Sequence, residues 1–170
     1  RNRCQIATTQ GVQTLSIPIE KFDTPKCLMR DVRISDHANW RHVHWNALVS
    51  AYGESPFFEF YEDDIRPFFT KKWTFLYDFN FEIMQKMCEL LDIEPNVRAT
   101  TEYLKIGEGH GDESEMVDFR EAIHPKRPQP DSSFQPKPYY QVYAEKHGFL
   151  PNLSIIDLLM NLGNEAILLL

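Results

Sequence analysis

Apolar and polar residues alternate at the start of the chain in the pattern of a β-hairpin. Residues 5–8 and 12–19 lie on either side of a TQG segment that is typical of a tight turn. The alternation recurs in DVRIS, where polar residues flank Val32 and Ile34, and β-branched and aromatic residues fill VRATTEYL, residues 97–104. The pattern therefore predicts a small sheet built from the hairpin and these two segments.

From residue 36 the period changes to the three- and four-residue spacing of an amphipathic helix. Ser35 or Asp36 is placed to cap this helix, and Gly53 is placed to end it. The apolar positions that define its inner face are Trp40, Val43, Ala47, Leu48 and Ala51.

Three further segments carry helical spacing. In SPFFEFYEDDIRPFF, Ser55 is predicted to cap a second helix and Pro67 to limit or kink its end. A third helix is predicted over residues 80–91. A helix near the C-terminal end is predicted in SIIDLLMNL, with Asn152 or Ser154 near its cap and a glycine directly after it.

These elements predict a mixed α and β fold of the α+β class, in which a small β-sheet with an N-terminal hairpin is packed by three or more helices. The length of 170 residues and the 42% hydrophobic content suffice for one domain over residues 1–170. Because the chain opens inside the predicted hairpin without a Met, we expect an N-terminal segment of this domain to be missing. Ile6 and Ile17 are then expected to lack apolar neighbours.

The segment DHANWRHVHW holds three histidines in ten residues, a density that can indicate a zinc site. On a helix, however, His42 and His44 lie about 200° apart around the axis and cannot share one ion. The helical spacing therefore predicts no metal site. His44 belongs to the apolar face, so we expect it to be buried with a hydrogen-bond partner or to line a pocket.

Charge and motifs narrow the class of protein. A net charge of −7 with scattered basic residues disfavours nucleic-acid binding, and no apolar run is long enough to cross a membrane. Three widely spaced cysteines are typical of reduced thiols, so a soluble, cytoplasmic protein is predicted. GxSxG, GxGxxG and P-loop motifs are absent, and nothing in the sequence indicates a particular cofactor.

The densest group of reactive side chains lies in DFREAIHPKR, residues 118–127. Here Asp118 supplies a carboxylate, Arg120 an anion clamp, His124 a proton shuttle and Lys126 a contact for phosphate or carboxylate. The alternative is that His124 only caps a short helix while Asp118 and Arg120 pair on the surface.

Two further groups allow both a functional and a structural interpretation. In PYYQVY, Tyr139, Tyr140 and Tyr143 flank Gln141 in a pattern that suits stacking on a sugar or ring, but aromatic packing explains the same residues. Asn152, Ser154 and Asp157 form a further polar group around FLPNLSIID, close to a predicted helix start, and helix capping is the simpler explanation for them.

Several motifs together resemble the WbqC-like protein family. They are NRC near the start, LSIPIE, DVRISDHANWRHVHWNALVSAYGESPFFEFYEDD, DFREAIHPK and PYYQVYAEKHGFLPNLSIIDLLMNLG. The resemblance covers nearly the whole chain. Members of this family carry a further segment ahead of NRC, which agrees with the expectation that an N-terminal segment is missing.

The family is named from bacterial gene clusters for surface polysaccharides such as O-antigen and lipopolysaccharide. The resemblance implies a transferase that moves an acyl or aminoacyl group onto an amino sugar carried by a nucleotide or lipid diphosphate. His124 would then be the base and Asp118 its catalytic partner; the substrate-binding residues would be Arg41, His44, Arg120, Lys126, Tyr140 and Gln141.

Two other functions remain open under the same resemblance. One is a non-catalytic module that binds a glycan through an aromatic surface around Trp73, Tyr139 and Tyr140, or scaffolds a biosynthetic complex. The other is an assembly partner that docks another subunit through its Phe-rich second helix. For the transferase and for the glycan-binding module, the partner is a small molecule, nucleotide sugar or glycan. The sequence does not determine the oligomeric state.

Overall fold

The structure is a computed structural model that describes residues 2–21, 27–102, 119 and 135–170. The chain divides into two compact units, one made of residues 1–95 and 137–170 and the other of residues 96–136. In its described residues the first unit combines a two-stranded antiparallel sheet with six α-helices, so the predicted α+β class is confirmed. None of the helices within the described ranges combines the length and apolar character that a bilayer crossing requires.

The N-terminal hairpin consists of β1 (Arg3–Thr8) and β2 (Gly11–Ser16), as the alternation predicted. The register pairs Arg3 with Ser16 at the open end and Thr8 with Gly11 at the turn. Gly11 has a φ of +102°, a conformation that residues with a Cβ rarely adopt, and this places the glycine at the turn. Ile6 and Ile17 are buried, contrary to the expectation that they lack neighbours.

The two other predicted strands are not regular strands. Residues 33 and 34 form isolated bridges, Ile34 with Ile19 and Arg33 with Phe75. The VRATTEYL prediction is wrong for residues 97–102, which carry no strand and are exposed; residues 103 and 104 lie outside the described part. β-branched residues favour a strand only where a partner strand and a buried face are present.

The first helix, α1 (Trp40–Tyr52), confirms the helical spacing but starts later than predicted. Val43, which was predicted on its inner face, is 54% exposed. A 3-10 turn over His37–Asn39 precedes it, and Asn39 has a left-handed backbone with φ of 46°. Neither Ser35 nor Asp36 is therefore the cap. Asp36 instead pairs with Arg41 and Lys72, each at 2.7 Å.

The Phe-rich segment forms two helices, α2 (Phe58–Ile65) and α3 (Pro67–Thr70). Pro67 stands at the first turn of α3, where its missing N–H is not needed, so it ends one helix and starts the next. The Ser55 cap is wrong, because its Oγ donates to the carbonyl oxygen of Tyr52 at 2.6 Å.

The remaining helices are α4 (Leu76–Leu90), α5 (Ala144–His147) and α6 (Ile155–Leu162). Ser154 caps α6 by accepting a hydrogen bond from the Ile156 N–H, as predicted. A 3-10 segment, Gly163–Leu169, follows directly. Leu159 in α6 is fully buried, and α6 packs against β1 and α2 in the same core.

Candidate functional site

A largely apolar cavity of about 430 Å³ opens between the hairpin, α1, α4 and the start of α6; we call it the His44 cavity. Pockets of roughly 300–1,000 Å³ with apolar walls and a few polar groups are typical of small-molecule sites. The apolar lining includes Leu48, Phe69, Phe79, Ile83, Met87 and Ile156. One face of α4, with Ile83, Met84 and Met87, therefore lines this cavity.

The polar residues in this lining are Asn2, Arg3, His44, Asn80 and Ser154, together with the thiols of Cys4 and Cys88. His44 is only 7% exposed, and its imidazole stands edge-on to the Trp40 ring at 5.2 Å and the Phe69 ring at 6.4 Å. Burial lowers the pKa of His44, while a hydrogen bond with the Ser16 backbone acts in the opposite direction. The imidazole is therefore neutral at pH 7, and the prediction that His44 is buried with a hydrogen-bond partner is confirmed.

Cys4 lies in the same cavity as a free thiol. Burial raises the pKa of this thiol, and a hydrogen bond with Ser154 offsets part of the rise. A thiol is a weak nucleophile until it ionises, so Cys4 in this environment behaves as a small apolar side chain.

A second polar feature is a closed set of hydrogen bonds around Asp157, which we call the Asp157 network. Asp157 is fully buried in the first turn of α6. Its Oδ1 accepts from the Tyr52 hydroxyl at 2.8 Å. Its Oδ2 accepts from the Tyr139 hydroxyl at 2.7 Å and from Gln141 Nε2 at 3.0 Å.

Further hydrogen bonds connect the Asp157 network to the backbone. The Ala7 N–H donates to the Tyr52 hydroxyl at 3.2 Å, and the Gln141 side chain bonds both the N–H and the carbonyl of Leu150. Burial, followed by the Asp157 carboxylate, raises the pKa of both Tyr52 and Tyr139, so both hydroxyls keep the protons they donate. A buried carboxylate with several donors is a stable arrangement because its desolvation is compensated.

The predicted catalytic pair, Asp118 and His124, lies outside the described residues, as do Arg120 and Lys126. Within DFREAIHPKR only Phe119 is described, and it is exposed. The convergence of this segment with His44 or Tyr140 therefore stays a prediction.

The other predicted substrate-binding residues lie in different surroundings. His44 lines the cavity, whereas Arg41, Tyr140 and Gln141 do not. The Arg41 guanidinium binds Asp36 and lies 5.5 Å from the centre of the Trp40 ring. Tyr140 is 58% exposed, and Gln141 is buried with its amide engaged in the Asp157 network.

The aromatic surface expected around Trp73 is absent, since Trp73 is a core residue. It is only 4% exposed, its ring stacks on Phe68 at 6.0 Å, and its indole N–H donates to the Phe68 carbonyl at 2.9 Å. The Tyr139 hydroxyl likewise donates a hydrogen bond to Asp157. Of the three aromatic residues, only Tyr140 offers an exposed ring.

The histidine-rich helix has the geometry that its spacing predicted. His42 is exposed and its Nε2 lies 2.9 Å from Asn46 Nδ2, whereas His44 is buried on the other side of α1. Among the described residues, no group of three or more His, Cys, Asp or Glu side chains is arranged to hold a metal ion.

Sequence reasoning missed the partnership of Tyr52 and Asp157. In the sequence, Tyr52 is one more apolar position at the end of α1, and Asp157 is a residue near a helix start that fits either capping or binding. The available signal was a carboxylate inside the otherwise apolar run IIDLLM, which has to find donors when it is buried.

The fold and cavity together define an α+β protein with an apolar chamber whose polar lining residues include a neutral histidine. The WbqC-like protein family matches residues 1–127, and the chain belongs to this family. It is also 25% identical over 184 residues to the uncharacterized protein Rv1507c of Mycobacterium tuberculosis, an alignment that covers 98% of this chain and 79% of that protein. No solved structure matches the chain significantly.

Proposed function

We propose that this WbqC-like protein binds an acyl group in the His44 cavity and transfers it to an amino sugar in bacterial surface-polysaccharide biosynthesis. The single observation that carries the proposal is the cavity itself, about 430 Å³ in volume and almost wholly apolar. An aliphatic chain gains about 0.8 kcal/mol for each CH₂ group that it buries, so such a chamber favours a hydrocarbon over a polar ligand. The neutral imidazole of His44 supplies a polar group for the carbonyl end of the chain.

The proposed reaction is aminolysis of an activated acyl group. The sugar amine attacks the acyl carbonyl carbon, the C–N bond forms, the bond to the leaving group breaks, and the amine proton passes to a base. His124 is proposed as that base and Asp118 as its catalytic partner, while Arg120 and Lys126 are proposed to pair with the diphosphate of the carrier. Arg41, Tyr140 and Gln141 remain proposed substrate contacts.

We place this reaction in the cytoplasm, where nucleotide-activated sugars are available as acceptors. The three free cysteines agree with a reducing compartment. The alternative function is a non-catalytic glycan-binding or scaffold protein of the same pathway. The apolar cavity favours the acyl proposal, because the hydroxyl groups of a glycan would find few hydrogen-bond partners in it.

The experiment that tests the cavity is titration with straight-chain fatty acids from octanoic to hexadecanoic acid, followed by calorimetry and melting temperature. At least one acid should bind and raise the melting temperature, because a ligand that binds only the folded state stabilises it. The Ile83→Trp substitution fills the cavity wall and should weaken binding at least about tenfold, or about 1.4 kcal/mol.

Val43→Trp is the matched control, since Val43 is 54% exposed on α1 and does not line the cavity. This variant should bind fatty acid like the wild-type chain. Absence of binding by every acid, or equal binding by the Ile83→Trp and wild-type chains, would remove the acyl proposal and favour the glycan-binding alternative.

A further inference from the structure

A second concave surface, which we call the hairpin groove, lies between the hairpin turn and α1 and has a volume of about 690 Å³. It shares no lining residue with the His44 cavity. One wall comes from the turn and β2, including Thr8, Gln10 and Gln13; the other comes from α1, with Asn46 and Ser50. The two surfaces therefore present different chemistry to different ligands.

The groove is uncharged, and most of its lining residues carry a polar side chain. Seven of its ten lining residues carry a hydroxyl or an amide, and the other three are Val12, Ala47 and Ala51. None of the ten, all of them within the described part of the chain, has an ionisable side chain. An anionic ligand would find no counter-charge in this lining, and an apolar ligand would leave the polar groups without partners.

Several of these polar groups are available to a ligand. Within the described residues, the side chains of Gln10, Gln13 and Thr14 make no hydrogen bond to the rest of the protein. Amide side chains donate and accept, as do hydroxyls. Val12 is 48% exposed beside them and offers an apolar contact.

Hydrogen bonds from the segment that contains α5 hold both walls of the groove in place. The Tyr143 hydroxyl donates to the Ala51 carbonyl at 2.9 Å and so binds the helix wall. Lys146 Nζ donates to the Thr9 carbonyl at 2.6 Å, and His147 Nε2 lies 3.2 Å from the same oxygen, which secures the turn. A groove with braced walls loses little conformational entropy when a ligand binds.

We propose that the hairpin groove binds an uncharged polyhydroxylated ligand, that is, a neutral oligosaccharide. Sugar hydroxyls donate and accept at once, which matches amide and hydroxyl side chains. The C–H face of a sugar ring packs on an aliphatic surface such as Val12. This inference does not rest on the acyl proposal, because the groove and the cavity are lined by separate residues.

The test is binding of the protein to an array of neutral and acidic glycans, followed by titration of the best neutral one. The side-chain amide NMR signals of Gln10, Gln13 and Asn46 should shift as the glycan saturates the groove. Replacing one residue in each wall, Gln13→Ala with Asn46→Ala, should weaken binding at least about tenfold while fatty acid binding is unchanged.

Gln85→Ala is the matched control, because Gln85 is an exposed amide on α4 that does not line the groove. This variant should retain glycan binding. The proposal is overturned if no neutral glycan binds, if only acidic glycans bind, or if the double variant binds as tightly as the wild-type chain. None of these results bears on the His44 cavity.

Discussion

Tyr52 donates its hydroxyl proton to Asp157 across a separation of 105 residues, and both side chains are buried. This contact joins the end of α1 to the first turn of α6. Because the Ala7 N–H donates to the same tyrosine hydroxyl, β1 is tied to the pair as well. The contact therefore connects three elements that are distant along the chain.

The Tyr52–Asp157 pair should show coupling in a double-mutant cycle. Tyr52→Phe and Asp157→Asn should each lower the free energy of unfolding by about 1–3 kcal/mol, because each leaves a buried polar group without its partner. The double variant should lose less than the sum of the two single losses, by about 0.5–3 kcal/mol. Urea unfolding of the four proteins measures these values.

Tyr77→Phe serves as the control for the cycle. The Tyr77 ring stacks on Phe81, and its hydroxyl makes no hydrogen bond within the described residues. This variant should unfold like the wild-type chain. Strict additivity of Tyr52→Phe and Asp157→Asn would mean that the hydrogen bond contributes nothing to stability.

His44 should make the protein less stable in mild acid. Burial lowers its pKa in the folded state, so the unfolded chain binds the proton at higher pH, near the ordinary value of about 6.5. The stability from the neutral imidazole is present above that pH and is lost as the pH falls below it. Melting temperatures measured from pH 8 down to pH 5, roughly the range in which histidines titrate, should show this loss.

The substitution His44→Gln should reduce the fall of the melting temperature in acid. Its matched control is His42→Gln, on the same helix, because His42 is exposed. In the control, the melting temperature should fall between pH 6.5 and pH 5 as it does in the wild-type chain; this is about the range in which an unperturbed imidazole titrates. If the melting temperatures of the wild-type chain and His44→Gln fell equally with pH, the acid sensitivity would belong to other groups.

Gly163 should tolerate alanine less well than Gly148 does. Both glycines have positive φ, +58° and +69°, so alanine is strained at either position. At Gly163 a Cβ would also lie 2.6 Å from Phe57 Cε1, whereas a Cβ at Gly148 meets nothing within 4 Å. Gly163→Ala should therefore cost about 1–3 kcal/mol more than Gly148→Ala in denaturant unfolding.

A second substitution separates the steric cost from the backbone cost. Phe57→Leu should recover part of the stability lost in Gly163→Ala, because the smaller side chain vacates the space that the Cβ needs. It should lower stability when made alone, since Phe57 packs against the core. No recovery in the double variant would show that backbone strain alone accounts for the loss.

The helices and the hairpin could be predicted because their signals are local. The spacing of Trp40, Leu48 and Ala51 marks α1, and a serine cap with a following glycine marks α6. Residues 97–102 show the limit of this reasoning, since they have the composition of a strand without being one. A strand forms only when a partner edge is present, and a partner edge is not a property of the segment itself.

The sequence by itself determined that α1 is an amphipathic helix, that His42 and His44 diverge, and that the class is α+β. These properties follow from the geometry of the helix and the strand, which act over a few residues. Only the tertiary structure decided that Asp157 meets Tyr52, that Trp73 is core, and that the inner face of α4 borders a cavity. The physical reason is that burial and hydrogen bonding of these side chains depend on groups supplied by distant parts of the chain, which no local period encodes.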